Sequence, residues 1–239
     1  IKITCYENEK DYYTIALSPD GKLSITKSIS NNWLSFLGIH INSGKRTLTL
    51  SVPAEFKAAA QIGTVSGRIS LYKIMMDGSL KVNSTSGDIS LKNVTAGETS
   101  AQTVSGSIEL DTLVINGGLR LQSTSGDIKA ATAEIIGGLS AGTTSGSMNF
   151  TNTRARDDID AGSISGDIRF DRLGGAGFTM KTISGAVKGS IVGNPGDYAF
   201  KADSVSGDIH IPDSAAGKKT FKVSTTSGDI DLAYSGSGS

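Results

Sequence analysis

The chain has 239 residues, of which 37% are hydrophobic and 19% charged, enough for one large domain with a continuous core or two small ones. Lys plus Arg equals Asp plus Glu at 23 each, so no whole-molecule field draws it to nucleic acid or to an anionic membrane. A lone Cys5 excludes a disulfide framework, a zinc cluster and a cysteine redox pair, and no apolar run is long enough to span a bilayer; any membrane link is expected from segments absent from this chain.

Residues 1–56 are the least regular part. "IALSPDGKLSIT" reads as a β-hairpin around Pro19, Asp20 and Gly21, and "RTLTLSV" alternates like a half-coil leading into a repeat array. Between them "NNWLSFLGIHI" carries the single Trp. Because an array of stacked strands leaves an open core at each end, this region is expected to be an N-terminal cap, with Trp33, Leu34, Phe36, Leu37 and Ile39 packed on the first coil. A tip that enters a membrane surface or a partner groove is the alternative for those five residues.

From residue 57 to 234 the chain rewrites one phrase, of which "STSGDISL" is an example. Its Ser-Gly pair occurs nine times, as Ser66-Gly67, Ser86-Gly87, Ser105-Gly106, Ser125-Gly126, Ser145-Gly146, Ser165-Gly166, Ser184-Gly185, Ser206-Gly207 and Ser227-Gly228, at intervals of 19 to 22 residues. Such a period is the mark of a solenoid, in which each unit buries its apolar edge only against its neighbours. Two residues after the Gly stand Ile69, Ile89, Ile108, Ile128, Met148, Ile168, Val187, Ile209 and Ile230, and two further on Leu71, Leu91, Leu110, Phe150, Phe170, Ile211 and Leu232 recur. With polar residues between, this is a strand with one buried face. A second strand precedes the repeat Ser, with Leu80, Leu119, Leu139, Ile159, Phe178, Phe200 and Phe221 at its sixth position back.

The two inward sets have opposite parity across Ser-Gly, so the chain turns a corner there; Gly is expected to supply backbone freedom and Ser a bond to the main chain. A third apolar position seven residues past the Gly (Ile74, Val94, Leu113, Ala133, Leu173, Val192) predicts a further short face. A period near 20 is too short for a helix plus strands. The fold class expected is therefore all-β, a single-stranded parallel β-helix (β-solenoid) of about nine coils, right-handed by analogy with most such folds, about 40 to 50 Å long at roughly 4.8 Å per coil. Residues 235–239 read as a flexible tail.

The candidate chemistry is sparse. Asp88, Asp127, Asp167, Asp208 and Asp229 follow the Gly in five coils and suggest either a calcium ladder or side chains capping corner amides; capping is the expectation, because in most of the array carboxylates and other residues alternate. The Ser or Thr two before the repeat Ser lies on the buried face, so its hydroxyl is expected to be satisfied internally rather than to form an ice- or glycan-binding array. The surface left to water is a β-branched row (Val65, Thr85, Val104, Thr124, Thr144, Ile164, Ile183, Val205, Thr226) beside Asn83, Gln102, Gln122, Lys181, Asp203 and Ser224. Arg154, Arg156, Asp157 and Asp158 interrupt the pattern, and Arg169, Asp171 and Arg172 follow one coil later. On a pectin-lyase-like solenoid such a patch would bind an acidic sugar and abstract a proton; a solvated charge cluster is the plainer reading. His40 and His210 form no recognisable pair, and no catalytic triad, metal site or cofactor site is expected.

Taken with its nine copies and the segment "LTLSVPAEFKAAAQIGTVSG", the sequence resembles a bacterial adhesin-type family of repeated SGDI coils over nearly its whole length. The resemblance implies a β-helical, surface-exposed or envelope-associated bacterial protein and brings no catalytic residues with it. This chain departs from the motif at Arg68, Ser107, Ser147 and Ala186, which replace the repeat Asp. The expectation is a non-catalytic binding or scaffold domain at the cell envelope whose partner is a protein or a glycan and not nucleic acid, with self-association through an open C-terminal coil around Ile230 and Leu232. A polysaccharide-binding or polysaccharide-degrading β-helix is the alternative.

Overall fold

The computed structural model describes residues 2–5, 11–19, 23–29, 48–53, 56–194, 196–213 and 217–235; Trp33 with its apolar neighbours, His40 and residues 236–239 lie outside the described residues. No helix occurs among them. The chain forms two compact units, Ile1–Pro53 and Ala54–Ser239.

The first unit holds β1 (Lys2–Cys5), β2 (Asp11–Leu17), β3 (Leu23–Ile29) and β4 (Leu48–Ser51). β2 and β3 are the expected hairpin, antiparallel with Leu17 opposite Leu23. β4 corrects the half-coil expectation: among the described residues it pairs antiparallel with β1, Leu50 opposite Ile3, in a two-stranded sheet of their own. A four-residue alternation specifies a half-exposed strand but not its partner.

The second unit is a parallel β-solenoid. Its coils are built from β5 (Ala60–Thr64) and β6 (Ile69–Met75), β7 (Leu80–Ser84) and β8 (Ile89–Ala96), β9 (Thr99–Gln102) and β10 (Ile108–Ile115), β11 (Leu119–Gln122) and β12 (Ile128–Ile135), and β13 (Leu139–Thr143) and β14 (Met148–Ala155). There follow β15 (Ile159–Ser163) and β16 (Ile168–Leu173), β17 (Phe178–Lys181) and β18 (Val187–Val192), β19 (Tyr198–Ser206) and β20 (Ile209–His210), and β21 (Lys219–Ser227) and β22 (Ile230–Ser235). Odd-numbered strands make one nine-stranded sheet and even-numbered strands another. Register follows the repeat: Ile108 lies between Ile89 and Ile128, and Leu110 between Leu91 and Ala130. The Ile and Leu/Phe columns are the core, with Ile89, Ile108, Ile128, Met148, Phe150 and Ile168 fully buried.

The Ser-Gly corner departs from the expected reason for its glycine. Of the nine repeat glycines only Gly207 has a positive φ. What the others supply is space. A Cβ on Gly126 would fall on the carbonyl oxygen of Gly106, and one on Gly146 on that of Gly126, because the corners stack backbone on backbone. Gly67 begins the column and would meet only its own coil's Thr64, 3.1 Å away at Oγ1.

A second corner is only half visible in sequence. Lys73, Asn93, Thr112, Thr132, Asn152 and Arg172 stand six residues after the Gly in six successive coils, all with φ between 46 and 58°. This left-handed residue gives the strand two successive outward positions before it turns inward again at Val94, Leu113 or Ala133, which creates the third face. In β18 the register shifts, and Ile191 rather than Val192 takes the buried place opposite Leu173.

The coils do not stack in chain order. β22 pairs with β18 on one side and β20 on the other, and β21 lies between β17 and β19. The coil of residues 219–235 is thus inserted beneath the coil that precedes it. It brings Phe221, Val223, Ile230 and Leu232, all buried; the coil of 198–210, with Phe200 opposite Phe221, Ala202 opposite Val223 and Ile209 opposite Ile230, is left outermost. Phe221 stacks on Phe178 at 4.8 Å and meets Phe200 at 5.4 Å. Tyr198 closes the cluster, its hydroxyl donating to the Val192 carbonyl at 3.1 Å. Burial, with Asp197 alongside, pushes that hydroxyl up to about 12, so it stays a donor. The expected open edge at Ile230 and Leu232 is therefore overturned: Leu232 is 5% exposed, and among the described residues β19 and β20 are the outermost strands at that end.

Two substitutions test the corners by thermal melting. Gly126→Ala is expected to cost about 3 kcal/mol or more, since its Cβ meets backbone that cannot yield, and Gly67→Ala less than about 1 kcal/mol; equal losses would refute the stacking explanation. Thr132→Asn places the residue type that tolerates the left-handed region where a β-branched one now sits, and is expected to stabilise by up to about 1 kcal/mol.

Candidate functional site

The hydroxyls flanking the Ser-Gly corner are consumed by the fold. Ser123 Oγ accepts the Gly126 amide at 2.9 Å and donates to the Gly106 carbonyl of the preceding coil at 3.0 Å. Thr103, Thr143 and Ser163 do the same in their coils. These are buried side chains that satisfy one coil and clamp it to the next, as their parity predicts.

The Asp column caps amides, and it does so between coils. Asp88 Oδ1 accepts the Ser107 amide at 3.0 Å, Asp127 that of Ser147 at 3.0 Å, and Asp167 that of Ala186 at 2.8 Å. In each case the residue capped is one of those that replace Asp. The alternation in sequence is thus one cap per pair of coils. Asp229 likewise accepts the amide of Asp208, its spatial neighbour, at 3.3 Å. Cations take the second oxygen: Arg68 on Asp88 at 2.9 Å, Arg169 on Asp167 at 2.6 Å and Lys188 on Asp229 at 3.3 Å. The Ser107 amide and Arg68 hold the Asp88 carboxyl below the usual carboxylate range, and the Asp208 amide and Lys188 do the same for Asp229.

The charged patch does not converge. Arg154 lies on β14 beyond the left-handed corner, with its side chain over Gly174. Arg156, Asp157 and Asp158 follow at the turn into β15. Arg169 and Asp171 lie on β16 before that corner, and Arg172 is the corner residue itself. All seven are exposed. Asp171 Oδ1 accepts from Ser190 at 2.8 Å, and Ser190 Oγ in turn accepts the Arg172 amide at 2.9 Å. The cluster is spread over two faces and tied into the lattice of coils. His210 lies on β20 and is exposed.

A different feature forms a hollow. Along β7, β9, β11 and β13 the outward row runs Asn83, Gln102, Gln122 and Gly142, beside the ridge of Val104, Thr124 and Thr144. Together they line a groove of ≈ 500 Å³ without a charged residue. Gly142 and Gly162 differ in kind from the corner glycines: a Cβ on either would find only a carbonyl oxygen, 3.9 Å away. Packing does not require glycine there, and in a strand it costs about 0.5–1 kcal/mol relative to Ala. Of the two, Gly142 lines the groove and keeps its floor low. In sequence the amides read only as a mixed polar surround and the hollow is not apparent; its signal is an in-strand glycine at an outward position. A smaller hollow of ≈ 230 Å³ on the other sheet is lined by Arg68, Asp88, Lys92 and Glu109 among others.

A family model matches residues 1–233, almost the entire chain including both units. The chain belongs to the Toastrack DUF4097 family. It is a domain family of unknown function, and the stacked parallel coils are the repeat fold its description evokes. No curated protein and no solved structure matches this Toastrack chain.

The lowered carboxyls of Asp88 and Asp229 give a direction for the expected response to acid. Because the folded-state values of Asp88 and Asp229 lie below those of an unfolded chain, their contribution is complete above about pH 5 and is lost as the pH falls through the folded values. Melting temperature is expected to drop between about pH 5 and pH 3, and Asp88→Asn to flatten part of that slope. A slope unchanged in the variant would assign the acid lability elsewhere.

Proposed function

We propose that this Toastrack domain is a non-catalytic, adhesin-like binding scaffold of the bacterial cell envelope, and that its recognition surface is the lateral groove along β7, β9, β11 and β13. The observation that carries the reading is the groove itself: an uncharged floor of amides and hydroxyls, lowered at Gly142 by a glycine that packing does not demand. Amide side chains both donate and accept, so they suit a ligand rich in hydroxyls. Their repetition at about 4.8 Å along the axis suits an extended polymer lying parallel to it. A neutral polysaccharide strand meets both conditions, and the absence of lining charge disfavours an acidic one. The envelope setting rests on the resemblance of the SGDI array, and a rigid rod of nearly identical outward positions is well adapted to such a role.

Titration calorimetry with a panel of neutral and acidic polysaccharides tests this. Binding is expected for a neutral member, weakened at least about tenfold by Gly142→Arg, which fills the groove, with a smaller loss for Gln122→Ala. No binding by the panel, or binding indifferent to Gly142→Arg, would reject the groove as the site. The same incubations decide the enzymatic alternative. Chain cleavage abolished by Asp158→Asn or Arg169→Ala would replace the scaffold reading with a polysaccharide-degrading one.

A further inference from the structure

Neighbouring strands on the outer faces of the solenoid follow a charge rule. Where register sets two charged residues side by side they are of opposite sign, as in Glu109 with Lys129, Asp111 with Lys92, Glu134 with Arg154 and Lys188 with Asp231. Arg169 and Lys188 are like charges side by side, but Asp167 holds the first and Asp229 the second. One pair breaks the rule. Lys201 of β19 lies directly opposite Lys222 of β21, both are exposed, and among the described residues no carboxylate pairs with either. Like charges so placed cost stability, and no ion pair among the described residues offsets that cost.

The two lysines belong to a grid on the outer face of β17, β21 and β19. One column reads Thr179, Lys222, Lys201 and the next Lys181, Ser224, Asp203. Alternation with Phe178, Met180, Phe221 and Val223, which are buried, and with Phe200 and Ala202, which pack on the core, turns all six outward. Lys181 is exposed as well, and among the described residues the hydroxyls of Thr179 and Ser224 enter no hydrogen bond. Asp203 is the one carboxylate of the grid; Asp160, in the column of Thr179, lies one strand further back. Lys219, opposite Tyr198, is drawn over the Tyr198 ring at 5.2 Å instead. Three ammonium groups and two hydroxyls thus offer donors that one carboxylate cannot satisfy, a set that suits an oxyanion. From the unmatched pair and the donors around it we infer that this face binds the phosphate groups of a linear polyanion, with Lys181, Lys201 and Lys222 as its contacts. The inference is independent of the groove. Because the grid is exposed, each contact to a free phosphate ion is worth little against water. Several phosphates on one chain, meeting lysines spaced as the coils are, act together. A bilayer is a poorer match, since attachment to an anionic leaflet takes a cluster of about four to eight cations, and three with Asp203 among them fall short.

Titration of the full chain with inorganic polyphosphate over a series of salt concentrations tests it. With three contacts, the logarithm of the binding constant is expected to fall against the logarithm of salt with a slope of about −2. Lys201→Gln and Lys222→Gln are each expected to weaken binding severalfold and to flatten that slope by about 0.7. Either change removes a repulsion, so the melting temperature is expected to stay level or rise, which separates a loss of binding from a loss of fold. Lys129→Gln, on the other sheet, removes a lysine matched by Glu109 and is expected to leave binding unchanged. Polyphosphate that fails to bind at low salt, or that binds both variants as it binds the wild type, would overturn the proposal. So would equal weakening by Lys129→Gln, equal competition from inorganic phosphate at the same total phosphate, or tighter binding to phosphatidylglycerol vesicles than to the polymer.

Discussion

Each Ser-Gly corner rests directly on the one beneath it, main chain against main chain, at the spacing of hydrogen-bonded parallel strands. That contact leaves no room for a Cβ and fixes the height of a coil at about 4.8 Å. Everything else in the second unit is arranged to respect it. The Ser or Thr hydroxyl before the corner ties the amide of its own glycine to the carbonyl of the glycine below. The Asp after the corner reaches up to the next amide. Apolar residues then fall into register because the corner has already set where each coil begins.

The same constraint explains how the last two coils exchange places. Since every coil presents the same columns at the same height, one coil can take another's place in the stack. Residues 219–235 fill an interior slot with Phe221, Val223, Ile230 and Leu232 buried, while the coil with Phe200, Ala202 and Ile209 lies outermost. The connections allow it. Gly185 to Gly207 and Gly207 to Gly228 span 22 and 21 residues, against 19 or 20 elsewhere, and Pro195 and Pro212 lie in the longer links.

The outward surface follows a different logic from the core. Several of its charged groups are engaged in keeping coils together, as with Arg68, Arg169 and Lys188 on the Asp column. The uncharged groove is the exception, for its amides and its low glycine floor do little for the stack. A surface that stability does not explain is the natural place to seek recognition.

How much of this was legible in the sequence varies with the range of the interaction. The period of the Ser-Gly pair, the alternation about it and the buried parity of the Ser or Thr hydroxyl are local, and they determined a parallel solenoid, its Ile and Leu/Phe columns and the internal satisfaction of those hydroxyls. The hairpin of β2 and β3 was legible for the same reason. Four things were decided only in three dimensions. Whether a glycine is demanded by φ or by a neighbour's carbonyl depends on atoms 20 residues away, which is why the repeat Gly126 proves to be required by the carbonyl of Gly106 whereas Gly142 is not required by packing. The partner of β4 proved to be β1, since a short alternation carries no address. The charged residues from Arg154 to Arg172 look like one patch on a line of text, but a left-handed corner at Arg172 divides them. Finally, the order of the last coils, and with it the identity of the outermost one, is a choice among strands that present the same columns, so no single repeat carries the address.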